Sequence, residues 1–113
     1  MIPDLFALAA AQLSAPNVPL DRQQAYQAWG ECLESRLAPD RYMTAIRIAD
    51  RAMMACIGFE RAYAAAQENS LASSNLTEAQ RTELDREYRR SVTRMRRMIE
   101  AHAQEIQDQG GNR

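Results

Sequence analysis

Six arginines near the carboxyl end of the chain are the residues whose type and spacing are best suited to chemistry. A guanidinium group carries a permanent positive charge and a planar set of N–H donors that fits carboxylate or phosphate oxygens. Between Arg81 and Arg97 there are seven arginines and three acidic residues, and no acid lies between Tyr88 and Ile99. We therefore expect a binding surface for an acidic partner, formed by Arg86, Arg89, Arg90, Arg94, Arg96 and Arg97.

Three interpretations of these arginines stay open at the level of sequence. They could form ion pairs with acids three or four positions away and serve only as the solvent-exposed face of the helix. They could bind the acidic surface of another protein. They could also follow the phosphates of a nucleic acid, with an affinity that falls as salt rises. The ion pairs that the spacing allows are Glu83–Arg86, Asp85–Arg89, Glu87–Arg90 and Arg96–Glu100.

Other kinds of site have little support in the sequence. His102 is the only histidine, and a metal site in a helical bundle needs more histidines and glutamates than this pattern offers. No serine or cysteine has a general base placed by a motif, and no glycine-rich phosphate loop is recognisable. We therefore expect no catalytic residue, no metal and no cofactor, and we interpret His102 as structural or interfacial.

The element that positions the arginines is a helix predicted over residues 77–109. Apolar residues recur along it every three or four positions, which is the spacing of a buried helical stripe, and most arginines fall on the other side. Thr77 and Gln80 have the spacing of a capping box at its start. Gly110 is expected to end it and to leave residues 110–113 disordered. The stripe consists of Leu84, Tyr88, Val92, Met95, Ile99, His102 and Ile106.

Three further helices are predicted, over residues 3–14, 21–37 and 40–69, with prolines between them that interrupt helical structure. Asp21 is the expected N-cap of the second. A short loop joins 40–69 to 77–109, so these two should form a long antiparallel hairpin with the rough heptad spacing of a coiled coil. The predicted fold class is therefore all-α and bundle-like, with the two short N-terminal helices packed on the hairpin.

The segment from Ala52 to Phe59 contains no charged residue. A helix that is apolar on all sides is expected to be buried on all sides, and a chain of this size has few elements to cover it. Either the short helices or a second copy of the chain should therefore cover this segment, and we favour a second copy, which would form a homodimer. The expected interface residues are Met53, Met54, Ile57 and Phe59.

Length and composition limit the remaining possibilities. The chain of 113 residues is 46% hydrophobic with a net charge of −1, as expected for one domain over 1–113 with no global attraction to nucleic acid or membrane. The apolar run Leu5–Leu13 is too short to span a bilayer, so no membrane association is expected. Cys32 and Cys56 are expected to be free, buried apolar residues, which favours a cytoplasmic location.

These patterns favour a non-enzymatic helical interaction protein that self-associates and binds or inhibits another macromolecule. The expected partner is a protein with an acidic surface. Small helical proteins without motifs occur among adaptors, chaperones, immunity proteins and accessory proteins of phages or mobile elements, an association by size and composition alone. One alternative is a nucleic-acid-binding protein that uses the arginine face of the last helix. Another is an oligomer that binds a small nucleotide between subunits.

Overall fold

The computed structural model describes residues 21–72 and 75–111, and this part of the chain folds into four helices without a strand. The prediction of an all-α, bundle-like fold is confirmed. The helix predicted over 3–14 lies outside the described residues, as do the last two residues of the predicted tail. The helices are α1 (Arg22–Ser35), α2 (Ala45–Ala55), α3 (Ile57–Ala72) and α4 (Glu78–Gly111).

Side-chain caps fix the first turns of α1 and α4 where the sequence predicts them. The Gln24 N–H donates to Asp21 Oδ1 at 2.8 Å, and the Asp21 N–H donates to Gln24 Oε1 at 3.3 Å. Thr77 and Gln80 form the same reciprocal pair, at 3.1 and 2.9 Å. Each pair satisfies backbone N–H groups that have no acceptor within the helix, and loss of such a cap typically costs about 1 kcal/mol.

The single helix predicted over 40–69 is wrong, because this part of the chain forms two helices. The chain turns at residues 41–43, and α2 begins only after Thr44, whose hydroxyl caps its first turn. α2 then ends at Ala55 with Cys56 as its C-cap, and α3 begins at Ile57. Gly58 lies in the first turn of α3, where it lowers helix propensity by about 1 kcal/mol relative to alanine.

The last helix is longer than predicted, because Gly110 and Gly111 are helical rather than part of a disordered tail. The linker between α1 and α2 packs closely against this end. A Cβ atom added to Gly110 would lie 3.3 Å from Cβ of Pro39, tighter than ordinary van der Waals contact. The glycine therefore suits the close approach of the linker.

Contacts with α4 show that α1 runs parallel to it. The Tyr26 hydroxyl donates to the backbone oxygen of Ser91 at 3.2 Å, across 65 positions in the sequence. One turn further along both helices, Gly30 packs on Met95 at the same offset, and a Cβ added to Gly30 would lie 3.2 Å from the Met95 methyl group. The missing side chain of Gly30 therefore gives Met95 room to pack against α1.

α3 and α2 run antiparallel to α4, one after the other. Near the start of α4, Gln67 Nε2 donates to the backbone oxygen of Leu84 at 3.1 Å. Further along, Asp50 of α2 lies 3.4 Å from Arg96. The Gln107 side chain, near the end of α4, bonds to the backbone of the turn that precedes α2. The predicted antiparallel hairpin is therefore present, with its first arm broken into α2 and α3.

Four aromatic rings from three helices form the centre of the core. Tyr26 and Trp29 come from α1, Tyr63 from α3 and Tyr88 from α4, and neighbouring ring centroids lie 5.0 to 6.2 Å apart. Trp29 is fully buried. Aromatic contacts of this kind contribute about 0.5–1.5 kcal/mol each beyond the burial of area. The cluster fixes the position of α1 and α3 on the first half of α4.

Cys32 and Cys56 form a disulfide bond, so the prediction that they are free is wrong. The bond joins α1 to the residue between α2 and α3, and both cysteines are buried, as expected. Helix packing brings the two Cα atoms within 6.0 Å of each other although the residues are 24 positions apart in the sequence. Spacing along one helix does not predict such a contact. Disulfide bonds persist mainly in oxidising compartments, so the argument for a cytoplasmic location is lost.

Candidate functional site

The apolar stripe of α4 packs as the sequence predicts, and its packing leaves the arginines on the outer side of the helix. Met95 and Ile99 are fully buried, and the other members of the stripe are half-buried. Because the stripe faces α1, α2 and α3, the six predicted arginines are all exposed. The helix therefore presents them along one side of the bundle.

Three of the six arginines are neutralised by carboxylates within the chain. Two of these pairs lie within α4, as predicted from their spacing. The third reaches across to α2, and the predicted pair Arg96–Glu100 is not formed. All are exposed pairs, which typically contribute less than about 1 kcal/mol each. The pairs are Arg86–Glu83 at 2.8 Å, Arg89–Asp85 at 3.1 Å and Arg96–Asp50 at 3.4 Å.

The other three arginines, Arg90, Arg94 and Arg97, have no carboxylate oxygen within 4.0 Å among the described residues. The predicted pair of Glu87 with Arg90 is wrong, since Glu87 turns to Arg22 of α1 at 4.0 Å. Spacings of four and three residues place the three side chains on one outward stripe. We call Arg90, Arg94 and Arg97 the unpaired stripe.

A polar cleft of about 340 Å³ adjoins the unpaired stripe where α1, α3 and α4 meet. The Nε atom of Arg22 is buried, although the side chain as a whole is partly exposed, and its N–H has no acceptor among the described residues. The cleft is open to solvent on one side, where two arginines of the stripe reach it. Its lining residues are Arg22, Tyr63, Glu87, Arg90, Ser91 and Arg94.

Hydrogen bonds at the floor of the cleft join α3 to α4. Ser91 Oγ donates to the backbone oxygen of Tyr88 at 2.7 Å. The hydroxyl oxygens of Tyr63 and Ser91 are 2.5 Å apart. Because the one hydroxyl proton of Ser91 is donated to Tyr88, Tyr63 is the donor in this second bond. Both hydroxyl protons are therefore used inside the protein, and the guanidinium groups are the donors that remain for a ligand.

Burial raises the pKa of Tyr26 and Tyr88, whose rings contact Tyr63 of the cleft, above the usual tyrosine value of 10.0. The positive charge of Arg94 opposes the rise for Tyr26, and Tyr63 adds to it. For Tyr88 the neighbouring Tyr63 and two glutamates of α3 add to the effect of burial. Both rings are therefore neutral at physiological pH and act as hydrogen-bonding groups rather than charges.

A second groove, of about 460 Å³, lies between α3 and α4. Ala64, Tyr88 and Val92 supply apolar surface to it. Arg89 and Arg96 also line it, and both already have carboxylate partners. Two of the paired arginines thus lie beside this groove, and two arginines of the unpaired stripe lie beside the polar cleft.

The four residues predicted to form a subunit interface do not share one surface. Met53 and Phe59 are buried in the core of their own chain, with 6% and 3% of their surface exposed, so they do not supply an interface. Ile57 is half-buried, and Met54 is 70% exposed. Within one chain Ala52–Phe59 is therefore covered on one face only, and its coverage by a second copy stays a prediction.

His102 connects two helices, with Nδ1 lying 3.1 Å from Glu34 Oε1 of α1. This contact agrees with the structural role predicted for the histidine. In residues 21–72 and 75–111, no group of three histidine, cysteine, aspartate or glutamate side chains is placed to hold a metal ion.

Arg22, Tyr63 and Ser91 of the polar cleft were not predicted as site residues. They lie on three different helices, and spacing within one helix does not reveal which residues meet across the bundle. The only sequence signal was indirect: Ser91 is a small polar residue between Arg90 and Arg94, next to the apolar stripe.

No protein-family model matches the chain, and no curated protein or solved structure is significantly similar to it. None of the helices in the described ranges combines the length and the apolar composition that crossing a bilayer requires.

Proposed function

We propose that this chain is a non-enzymatic interaction protein that binds an acidic macromolecule through the unpaired stripe. The observation that carries the proposal is that Arg90, Arg94 and Arg97 share one outward side of α4 without carboxylate partners among the described residues. Three guanidinium groups without partners are free to form charge-assisted, bidentate hydrogen bonds with a partner. The stripe extends for about 10 Å, at 1.5 Å per residue.

The favoured partner is the acidic surface of another protein. Nucleic acid is the alternative, since the same stripe would bind phosphates without regard to sequence. One observation supports the first choice. Tyr88, the aromatic residue nearest the stripe in the sequence, packs against Tyr63 and lines the second groove, so it offers no ring for base stacking beside the stripe.

Binding rather than catalysis is proposed because the stripe offers charge and hydrogen-bond donors without a nucleophile and base beside them. Self-association is left out of the proposal. Met53 and Phe59, two of the four residues on which the homodimer prediction was based, lie in the core of the single chain. A location in an oxidising compartment replaces the cytoplasm in the proposal, because it is compatible with the Cys32–Cys56 bond.

A comparison of two triple variants tests the proposal. The first removes the unpaired stripe by Arg90→Gln, Arg94→Gln and Arg97→Gln. The matched control removes the same amount of charge from the paired set, by Arg86→Gln, Arg89→Gln and Arg96→Gln. Binding of a labelled polyglutamate peptide and of a labelled DNA duplex is measured by fluorescence anisotropy, at low and at physiological salt.

We expect the stripe variant to lose polyglutamate affinity by about tenfold or more, since hydrogen bonds to charged groups are worth about 1.5–3 kcal/mol. The control should lose much less, because its arginines are already paired. Equal losses in both variants would mean that net charge alone matters and would contradict the proposal. Tighter binding of the duplex than of polyglutamate would decide for nucleic acid and against an acidic protein.

A further inference from the structure

We infer that the polar cleft between α1, α3 and α4 binds a phosphate monoester. This inference rests on the proposed function in one respect, because Arg90 and Arg94 belong both to the unpaired stripe and to the cleft. It adds a defined pocket, a third arginine from another helix and a chemical class of ligand.

Arg22 is the residue that distinguishes the cleft from the stripe. It comes from the first turn of α1, and its Nε–H is buried without an acceptor among the described residues. Its only ion pair there, with Glu87, is at the 4.0 Å limit of such a contact. The Arg22 side chain is still 27% exposed and lines the cleft, so its guanidinium N–H groups other than Nε–H can donate to an oxygen-rich anion seated there.

The charges around the cleft match a doubly charged anion. Arg22, Arg90 and Arg94 bring three positive charges, and Glu87 is the only acid in the lining, so the cleft carries a net charge of about +2. A phosphate monoester carries about −1.5 to −2 at neutral pH and presents three strong acceptor oxygens. A single carboxylate would leave positive charge uncompensated.

The donors available in the cleft also favour a fully deprotonated ligand. The hydroxyl proton of Ser91 goes to the backbone of Tyr88, and that of Tyr63 goes to Ser91. The remaining donors are guanidinium N–H groups, which recognise oxygens that carry no proton. The cleft, of about 340 Å³, is larger than a phosphate group and leaves room for the atoms to which the phosphate is esterified.

Isothermal titration calorimetry on the full chain tests the inference. The probes are inorganic phosphate, a serine peptide with and without a phosphate on the serine, adenosine monophosphate, and acetate. We expect phosphate-bearing probes to bind and both acetate and the unphosphorylated peptide to fail. Tighter binding of the phosphopeptide would identify a phosphorylated protein as the source of the group, and tighter binding of the nucleotide would identify a small ligand.

Two single variants separate the cleft from the stripe. Arg22→Gln should weaken binding of the phosphate probes by at least about tenfold and leave polyglutamate binding unchanged. Arg97→Gln should weaken polyglutamate binding and leave binding of the phosphate probes unchanged, because Arg97 is in the stripe and does not line the cleft. Arg90→Gln is a second cleft variant, at an exposed position where folding is not at risk.

The inference and the proposed function can fail separately. If the chain binds polyglutamate and no phosphate probe, or if Arg22→Gln binds phosphate like the wild type, the cleft is not a phosphate site and the function stands. If phosphate binds and polyglutamate does not, the cleft stands and the proposed function is overturned.

Discussion

The disulfide bond between Cys32 and Cys56 ties α1 to the point where the antiparallel arm breaks into α2 and α3. Cross-linking residues 24 positions apart restricts the unfolded chain, which by the loop-entropy relation stabilises the fold by about 3.5 kcal/mol. We therefore expect a reductant to lower the free energy of unfolding by about that amount. Urea denaturation followed by the fluorescence of Trp29 measures it.

The variant Cys32→Ala with Cys56→Ala is the control for the reductant. Its stability should be the same with and without reductant, and close to that of the reduced wild type. If the wild type is equally stable in both conditions, the bond does not stabilise the protein in solution.

Gln107 fixes the turn before α2 to the end of α4. Its Nε2 donates to the backbone oxygens of Asp40 and Met43, at 2.9 and 2.7 Å, and its Oε1 accepts from the Asp40 N–H at 3.0 Å. Gln107→Ala leaves these part-buried backbone groups without partners, so we expect a loss of about 1–3 kcal/mol in unfolding free energy. Urea denaturation measures this loss as well.

Gln104→Ala is the matched control for this prediction. Gln104 is exposed, and among the described residues its side chain bonds to Asp108 alone, one turn away on the same helix. Its loss should change the stability by no more than about 0.5 kcal/mol. Similar losses for Gln104→Ala and Gln107→Ala would show that the turn is not held by the Gln107 side chain.

The exposed Met54 and the buried Phe59 should respond differently to substitution. Phe59→Ala empties part of the core and is expected to cost about 3–5 kcal/mol. Met54→Glu places a charge where 70% of the side chain is already in solvent, and it should cost less than about 0.5 kcal/mol. Thermal unfolding by circular dichroism compares the two.

Light scattering on the Met54→Glu variant would add a test of the homodimer predicted from the sequence. If the wild type is a dimer and the variant is a monomer, Met54 lies in a subunit interface. A wild-type monomer would show that Ala52–Phe59 needs no second copy to cover it.

Stability should fall at alkaline pH because the folded state raises the pKa of Tyr26 and Tyr88 above 10.0. Below pH 10.0 both states keep these protons, so the two rings add no pH dependence. Above it the unfolded chain loses them first, which favours unfolding until the folded rings also ionise. Urea denaturation at neutral pH and just above pH 10.0 should show the decrease.

Tyr26→Phe should make this alkaline decrease smaller, and Tyr42→Phe, a change at a tyrosine that is 87% exposed, controls for the number of tyrosines. Equal decreases in the wild type and Tyr26→Phe would show that burial of Tyr26 does not hold its proton.

The sequence predicts features that depend on neighbours along one helix. The stripe from Leu84 to Ile106, the caps at Asp21 and Thr77, and the pair Asp85–Arg89 all follow from spacings of three or four residues. Each depends on local geometry that the helix itself supplies, which is why these predictions are confirmed.

Features that depend on how helices meet were missed. The break at Cys56 accompanies a bond to another helix, and Glu87 turns from its neighbour Arg90 to Arg22. The cleft has the same origin, because Arg22 and Tyr63 meet Ser91 only after α1 and α3 pack on α4. Tertiary packing sets offsets such as the 65 positions between Tyr26 and Ser91, and these offsets produce no periodic pattern in the sequence.

The contacts spread along α4, from Leu84 at one end to Gln107 at the other, restrict how the length of this protein can evolve. One residue inserted between them would turn every later side chain by about 100° and carry Ile99 out of the core. An insertion in the loop that joins α3 to α4 would disturb none of these contacts. Homologous chains should therefore differ in length at that loop and keep the interval from Leu84 to Gln107 constant.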